Sequence, residues 1–595
     1  MTETTQRQLV TDPHDRTLAL GATGILRTFN QAGVLDAADV HVADRLGGLV
    51  GETTPEVLLA AALTVRAVRL GSICLDPATI AELPLETEVE LPWPEPATWL
   101  AQLAASPLVT GEVLRLDQGL LYLDRYWREE LQVCADLLDL LAQQPPELDG
   151  PVLEAGLDRV FPGAGYDEQR GTARTAAQRW TTVVTGGPGT GKTTMVAGLL
   201  ALVAEQFELG AGVRPRIALA APTGKAAARL QGAVLEAVAG FDPVDQARLG
   251  TLKAVTVHSL LGSRMPRTSV RFKHDRTHRL PYDIVVVDEA SMLALSLAAR
   301  LFEALRPRTR LIVVGDADQL SSVDAGAVLA DLVAGLTDRA DSPVVRLVTT
   351  HRYGAGIGEL ASALRRADAD DVVEVLGSGR TDVVWIDPED ADAMADLRRD
   401  LRRRAGDLLQ TARRGTDAEA VAALDDHRLL CAHREGPYGV TGWNREIERL
   451  LAEDGETYVY QEWYAGRPVL ISANDKLLGL NNGDMGVTRF GPTGSGRLQV
   501  LVPGPAGDRT FPTSRMPAVQ TVYAMTIHKS QGSQADTVSV ILPPEDSPLL
   551  TRELFYTAVT RAQSTVRIVG TEAAVRAAVA REVQRATGLR ARLSL

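Results

Sequence analysis

Apolar and polar positions change period several times along this 595-residue chain. Residues 18–70 repeat apolar positions at helical spacing, Pro-rich acidic text over 83–96 interrupts them, and helical text returns over 126–143. The breaker-rich segment 144–151, QPPELDGP, marks a first boundary. Beyond it, short apolar runs at 181–185, 217–221, 284–287 and 311–314 alternate with helical stretches, which predicts a parallel α/β sheet. A second α/β unit begins near residue 346. Within it, β-like runs at 469–472, 487–490 and 498–502 lie between Gly/Pro/Asn turns at 481–484 and 491–496. That change of texture predicts a small β-barrel inserted in the second unit. The expected organisation is 1–150 mainly helical, 151–345 a first α/β domain, 346–456 with 520–595 a second, and 457–519 the insertion.

Charge sharpens this division. The chain carries a net −14. Residues 1–150 hold 9 Arg, no Lys and 23 acids, which accounts for all of it and leaves 53 bases against 53 acids beyond. Phosphate backbones repel such a quarter, so it reads as a protein-docking or structural domain, or as an acidic face kept for solubility. The arginine-rich stretch 397–404 reads as a solvated helix face. Cys74, Cys134 and Cys431 are far apart and give neither a disulfide framework nor a zinc pattern. No secretory signal opens the chain, and no apolar run approaches the ~20 residues of a bilayer span, so no membrane role and a cytoplasmic location are expected.

Residues 186–193, GGPGTGKT, form a complete phosphate-binding loop between a predicted strand and a predicted helix. Gly186, Gly187, Pro188, Gly189, Thr190 and Gly191 would wrap the phosphates, with Thr194 opening the helix beyond. Lys192 would place a compact charge on the β/γ-phosphates, and Thr193 would hold Mg²⁺. Lysine is scarce here, six against 56 arginines, and Lys192, Lys225 and Lys529 all fall inside motifs. The run 285–291, VVVDEAS, ends a strand in Asp288, placed to hold Mg²⁺ through water, and Glu289, placed to polarise an attacking water. Gln319, after a third apolar strand, would sense the γ-phosphate. Arg352 and Arg561 are candidate arginine fingers, each contributing roughly 10³–10⁵ in rate where such a role applies.

Nucleic-acid candidates pair small residues with hydroxyl, imidazole or ammonium groups near predicted strand ends: Pro222, Thr223 and Lys225; His258; and Thr526, His528, Lys529 and Ser530. Segment 264–279 holds five Arg, one Lys and two His, and could line a strand channel. His274 and His278 are four apart, with nothing nearby to complete a metal site. Trp463 and Tyr464 are the candidate aromatics for stacking bases, at roughly 1–3 kcal/mol each. These contacts do not separate DNA from RNA, since none need read the 2′-OH.

In this order the motifs resemble superfamily 1 helicases, and within them the RecD family, the α subunit of exodeoxyribonuclease V. Strings 428–440 (RLLCAHREGPYGV), 474–484 (NDKLLGLNNGD), 526–533 (TIHKSQGS) and 551–561 (TRELFYTAVTR) carry the likeness, with 120–127 (LLYLDRYW) upstream. Gln169 sits where that superfamily reads adenine. The resemblance implies two RecA-like P-loop motor domains with an SH3-like β-barrel insertion. It also implies ATP with Mg²⁺ as cofactors and 5′→3′ translocation on single-stranded DNA. The family works as a heterotrimer with a RecB-like helicase-nuclease and a RecC-like subunit, docked through the N-terminal domain, in double-strand break repair, recombination and degradation of linear DNA. A stand-alone RecD-like helicase is the alternative; those carry an N-terminal extension for which the text before residue 150 offers no room. A nuclease in its own right, or a structural subunit with a silent ATPase, fits the motifs less well.

Overall fold

The computed structural model describes residues 15–82, 89–263, 272–350, 354–475, 477–491, 496–504, 507–516, 518–583 and 585–594. The N-terminal region is mainly helical, with helices Gly24–Gln31, Ala37–Val50 and Pro55–Arg69 where helical spacing was read, and a long helix Asp124–Leu141. It also contains strands that the pattern did not announce. These are β1 (Cys74–Leu75), β2 (Leu114–Asp117) and β3 (Leu120–Leu123), in the antiparallel order β1-β3-β2. Helix Asp124–Leu141 lies against helix Leu295–Glu303 of the next unit, where Gln132 donates to the Ala299 carbonyl at 3.0 Å.

The first lobe is a six-stranded parallel sheet: β4 (Thr181–Gly186), β5 (Ile217–Ala221), β6 (Ala254–Thr256), β7 (Ile284–Val287), β8 (Arg310–Gly315) and β9 (Val344–Leu347), ordered β6-β5-β7-β8-β4-β9. In β7 all four residues are buried, because both faces are covered. Val285 and Val287 enter one core, and Ile284 and Val286 the other. A strand buried on both sides reads as a continuous apolar run rather than an alternation. Helix Lys192–Ala211 is long and apolar enough to cross a membrane by length and composition, contrary to the expectation from sequence. Yet 67% of its apolar window is buried against the lobe, as for a core helix.

The second lobe opens with helices Ala355–Arg365 and Ala369–Gly377, which share its core, followed by β10 (Val383–Ile386) and β11 (His427–Cys431). The insertion follows as β12 (Pro468–Ile471), β13 (Met485–Phe490), β14 (Leu498–Val502), β15 (Arg509–Pro512) and β16 (Val519–Thr521), antiparallel in the order β15-β14-β13-β12-β16. Its alternation serves two cores. Val469, Ile471, Val500 and Val502 fill the insertion's own interior, while Leu470, Val487 and Leu501 join the lobe's core. Among the described residues β15 and β16 are not hydrogen-bonded, so the barrel is partly open. The lobe then closes with β17 (Ala524–Thr526), β18 (Ala535–Ile541) and β19 (Ala562–Val569), all parallel in the order β10-β19-β18-β11-β17. In helix Ala391–Arg414 the arginines of 397–404 are ion-paired, Arg404 to Asp400 at 2.8 Å and Arg398 to Glu446 at 3.3 Å.

Three boundaries differ from expectation. The first lobe's edge strand runs to Leu347, past the limit set at 345, because its hydrogen bonds go to β4. The insertion's last strand runs to Thr521, past 519, because it pairs with β12. And the end of the chain leaves the second lobe altogether. Helix Leu589–Ser594 packs on helices Val328–Leu336 and Asp124–Leu141. There the Arg592 guanidinium pairs with Glu130 (2.7 Å) and Asp117 (2.8 Å), while Glu130 also accepts the Gly588 N–H at 2.9 Å.

Candidate nucleotide cleft and strand-contact elements

The order β7-β8-β4 places three carboxyl-terminal strand ends side by side, and each delivers one piece of the candidate site. From β4 the chain enters the phosphate-binding loop. Gly189 and Gly191 take φ of 84° and 79°, which L side chains rarely adopt. A Cβ on Gly186 would lie 2.5 Å from the Leu347 carbonyl, so that position is glycine for closeness rather than for dihedral. Thr190 donates to the Gly187 carbonyl at 2.9 Å, and Lys192 Nζ reaches the Gly186 and Gly187 carbonyls at 2.6 and 2.9 Å. The helix then starts at Lys192, so its free N–H groups face the loop.

From β7 come Asp288 and Glu289. Burial, and then the neighbouring Glu289 charge, raise the Asp288 carboxyl above its ordinary pKa. Glu289 is held at φ 51°, a strained left-handed position for a residue with a Cβ, and Arg229 stands 4.0 Å from its carboxylate. From β8 come Asp316 and Gln319, with the Gln319 amide donating to Asp316 Oδ2 at 2.9 Å. Asp316 too is raised by burial.

A cavity of about 980 Å³ joins these ends. Pro188, Gly189, Gly191, Lys192, Thr193 and Thr194 line its floor, and Asp288, Glu289 and Gln319 its flank. Gln169 lines one end and donates to the Thr190 carbonyl at 3.0 Å, while its Oε1 is buried with no hydrogen-bond partner among the described residues. A buried, unmatched acceptor fits a ligand that brings an N–H, as the exocyclic amine of adenine does. The oxygen donors at the other end, Thr193 and Asp288, are hard ligands suited to Mg²⁺. Among the described residues no group of three or more His, Cys, Asp or Glu side chains could hold a metal. His274 and His278 instead stack on each other, 5.2 Å apart.

Arg561, from the second lobe, opens onto the same cavity. It is 2% exposed, its Nε donates to the Thr557 carbonyl at 3.0 Å, and among the described residues no carboxylate lies within ion-pair distance. Burial lowers its pKa, and Glu289 opposes that most. Arg352 lies outside the described residues.

The strand-contact candidates divide. Thr223 caps the 16-residue helix Gly224–Ala239 and Thr526 the single turn Ile527–Ser530, accepting from Ala226 N–H (3.2 Å) and Lys529 N–H (3.3 Å), and Pro222 is partly buried beside the first. Burial lowers the pKa of both His258 and His528, and Arg585 donates to the Asp324 carbonyl at 3.2 Å. Lys529 Nζ donates to Gln520 at 3.0 Å. Lys225 lines a separate cavity of about 600 Å³ beneath the insertion, with Arg428 and Asp484, and burial pushes its pKa down to about 8.

Two expectations are corrected. Ser530 is wholly buried and donates to the Ile527 carbonyl at 2.7 Å, so its hydroxyl closes its own turn and cannot meet a strand. Tyr464 is 2% exposed, with its hydroxyl on Tyr523 at 3.1 Å, so its ring is core and cannot stack a base. Trp463 is partly buried under the Arg467 guanidinium at 5.0 Å.

Sequence reasoning missed Asp316, Tyr556, Thr557, Gln531 and Arg229. Asp316 had a signal, since it ends an apolar strand just as Asp288 does. Tyr556, Thr557 and Gln531 lie in strings singled out above, but their partners are set by how the lobes meet, whereas Arg229, on helix Gly224–Ala239, stands beside Glu289 within the first lobe.

Residues 31–122 match the family described as "RecBCD enzyme subunit RecD, N-terminal domain", 169–325 match "AAA domain", and 521–569 match "UvrD-like helicase C-terminal domain". The chain is 55% identical over 584 residues to the RecBCD enzyme subunit RecD of Mycobacterium tuberculosis (strain ATCC 25618 / H37Rv), covering 97% of this chain and 98% of that one. It is 54% identical over 566 residues to the RecBCD enzyme subunit RecD of Mycolicibacterium smegmatis, covering 94% and 98%. Among solved structures it is similar to the Pif1 helicase from Candida albicans, at 16% identity and a TM-score of 0.36 over 69% of this chain and 95% of that one.

Proposed function

The chain belongs to the RecD family and is an ATP-dependent DNA helicase subunit of the RecBCD type; from that premise we propose a 5′→3′ single-strand motor driven at the cleft described above. The observation that carries this reading is Arg561. A cation from the second lobe lines the cavity that Lys192, Asp288, Glu289 and Gln319 line from the first. In this reading Lys192 grips the β/γ-phosphates, Gln169 takes the adenine edge, Glu289 draws the proton from the attacking water and Gln319 orients that water. Thr193 and Asp288 would hold Mg²⁺, which neutralises charge on the phosphates when bound. Arg561 meets the γ-phosphate only when the lobes are together, so hydrolysis is tied to closure. Melting one base-pair step costs on average about 1.4 kcal/mol, which each closure must transmit to the strand. Pro222, Thr223, Lys225, His258, Thr526, His528 and Lys529 supply the strand contacts.

The acidic N-terminal region docks on a RecC-like subunit and a RecB-like helicase-nuclease does the cutting, which places the whole in the cytoplasm, on duplex ends. The match of residues 31–122 to the RecD N-terminal domain favours this over a stand-alone helicase. The test is a pull-down from the native cell, followed by unwinding of duplexes tailed at 5′ or 3′ ends. Two large co-purifying subunits and unwinding from the 5′ tail, lost with Lys192→Gln, are expected. A monomer acting from 3′ tails, or DNA digestion by the isolated chain that no ATPase substitution stops, would overturn it.

A further inference from the structure

The loop that leaves β8 carries Gln319, yet much of what holds it comes from the other lobe. Tyr556 Oη, on helix Arg552–Val559, donates to Asp316 Oδ2 at 3.1 Å, the same oxygen that takes the Gln319 amide at 2.9 Å. One residue on, the Leu320 N–H donates to Thr557 Oγ1 at 3.0 Å, and the Leu320 carbonyl accepts from Gln531 Nε2 at 2.8 Å. Every side chain in this set is buried, Tyr556 at 1% exposed and Thr557 at 0%.

We infer that Tyr556 is a positioning residue for ATP hydrolysis, whose hydroxyl makes the orientation of Gln319 conditional on the second lobe being in place. A carboxylate oxygen shared by two donors fixes both. With its amide nitrogen committed to Asp316, Gln319 keeps its amide oxygen as an acceptor for a water in the cavity it lines. When the second lobe withdraws, Asp316 loses the Tyr556 hydroxyl, Leu320 loses both backbone partners, and the loop carrying Gln319 is released. Tyr556 lies only five residues before Arg561, so one movement of that helix brings the finger and sets the sensor together. This rests on the reading of Gln319 as the γ-phosphate sensor, and the control below tests that reading separately.

The experiment uses the full chain with a thymidine oligonucleotide, measuring steady-state ATPase and the Kd of a fluorescent ATP analogue. Tyr556→Phe keeps the ring and removes the one hydroxyl. It should lower kcat about tenfold, with KM and Kd changed less than about twofold. Gln319→Ala should lower kcat at least as far, and the double variant should be no slower than Gln319→Ala alone. Asp316→Asn, which keeps the shape and weakens the shared acceptor, should behave as Tyr556→Phe does and stands in for it if that variant does not fold. If Gln319→Ala is slow while Tyr556→Phe turns over like wild type, or the two losses multiply, or Tyr556→Phe acts through Kd alone, the inference is wrong and the sensor reading survives. If Gln319→Ala is itself unimpaired, the sensor reading falls and takes the inference with it.

Discussion

Replacing Arg561 by alanine separates two roles for a buried arginine. Were Arg561 a structural ion-pair partner, its loss would strand a buried carboxylate and cost about 3–5 kcal/mol of stability. The structure gives it no such partner: Nε is spent on the Thr557 carbonyl, Nη2 lies 3.4 Å from Thr560 Oγ1, and the group faces a cavity lined by Lys192. An enclosed cation with no carboxylate in direct contact among the described residues costs free energy until an anion arrives. Removing it should therefore leave the nucleotide-free melting temperature unchanged or slightly higher. Catalysis should suffer instead, by 10³–10⁵ in kcat, equivalent to about 4–7 kcal/mol of transition-state stabilisation. Arg561→Lys should recover little, because an ammonium has no Nε to anchor on Thr557 while reaching into the cavity. The assay is steady-state ATPase at saturating single-stranded DNA, beside melting curves with and without a non-hydrolysable ATP analogue. Turnover within tenfold of wild type, or a nucleotide-free melting point lowered as if a buried ion pair had been cut, would refute the reasoning.

Other outcomes follow from contacts elsewhere. Gly224→Ala should loosen the insertion from the first lobe by about 1–3 kcal/mol, since the new Cβ would lie 2.2 Å from Asn481 Oδ1; Asn481→Gly in the same chain should restore the melting temperature. Arg592→Ala should destabilise by about 3–5 kcal/mol in urea unfolding, because Glu130 would be left buried and unpaired. Asp331, among Glu130, Arg585, Arg590 and Thr587, has its pKa pushed up to about 7, chiefly by burial. Its folded form thus binds more protons than its unfolded form from about pH 4 to 7, and the fold loses stability as pH rises through that window. Asp331→Asn should gain on wild type in melting temperature between pH 5 and pH 8, and a constant difference would show the burial to be harmless.

The phosphate-binding loop was legible because its chemistry dictates backbone shape: only glycine serves easily at the φ of 79° and 84° seen at Gly191 and Gly189. The strands of the first lobe were legible for a related reason, since burial on both faces writes an unbroken apolar run such as 284–287. Contacts between distant parts were not. Asp316 and Tyr556 are 240 residues apart, and nothing local to either announces the other. Ser530 misled because a hydroxyl inside a motif reads alike whether it faces a ligand or its own turn. Tyr464 misled in the same way, an aromatic at an edge in sequence being core in space. The 2-residue strand β1 is too short to carry a period at all.

The final segment, returning from the second lobe to helix Leu589–Ser594, bears on how such a motor swings. The chain crosses between lobes once after β9, and crosses back beyond helix Glu572–Ala580 to be bolted down by Arg592. A door hung on two hinges can turn about the line joining them but cannot drift off its frame. This lobe is accordingly tied to its neighbours at two places, and the acidic region holds the second of them through Glu130 and Asp117.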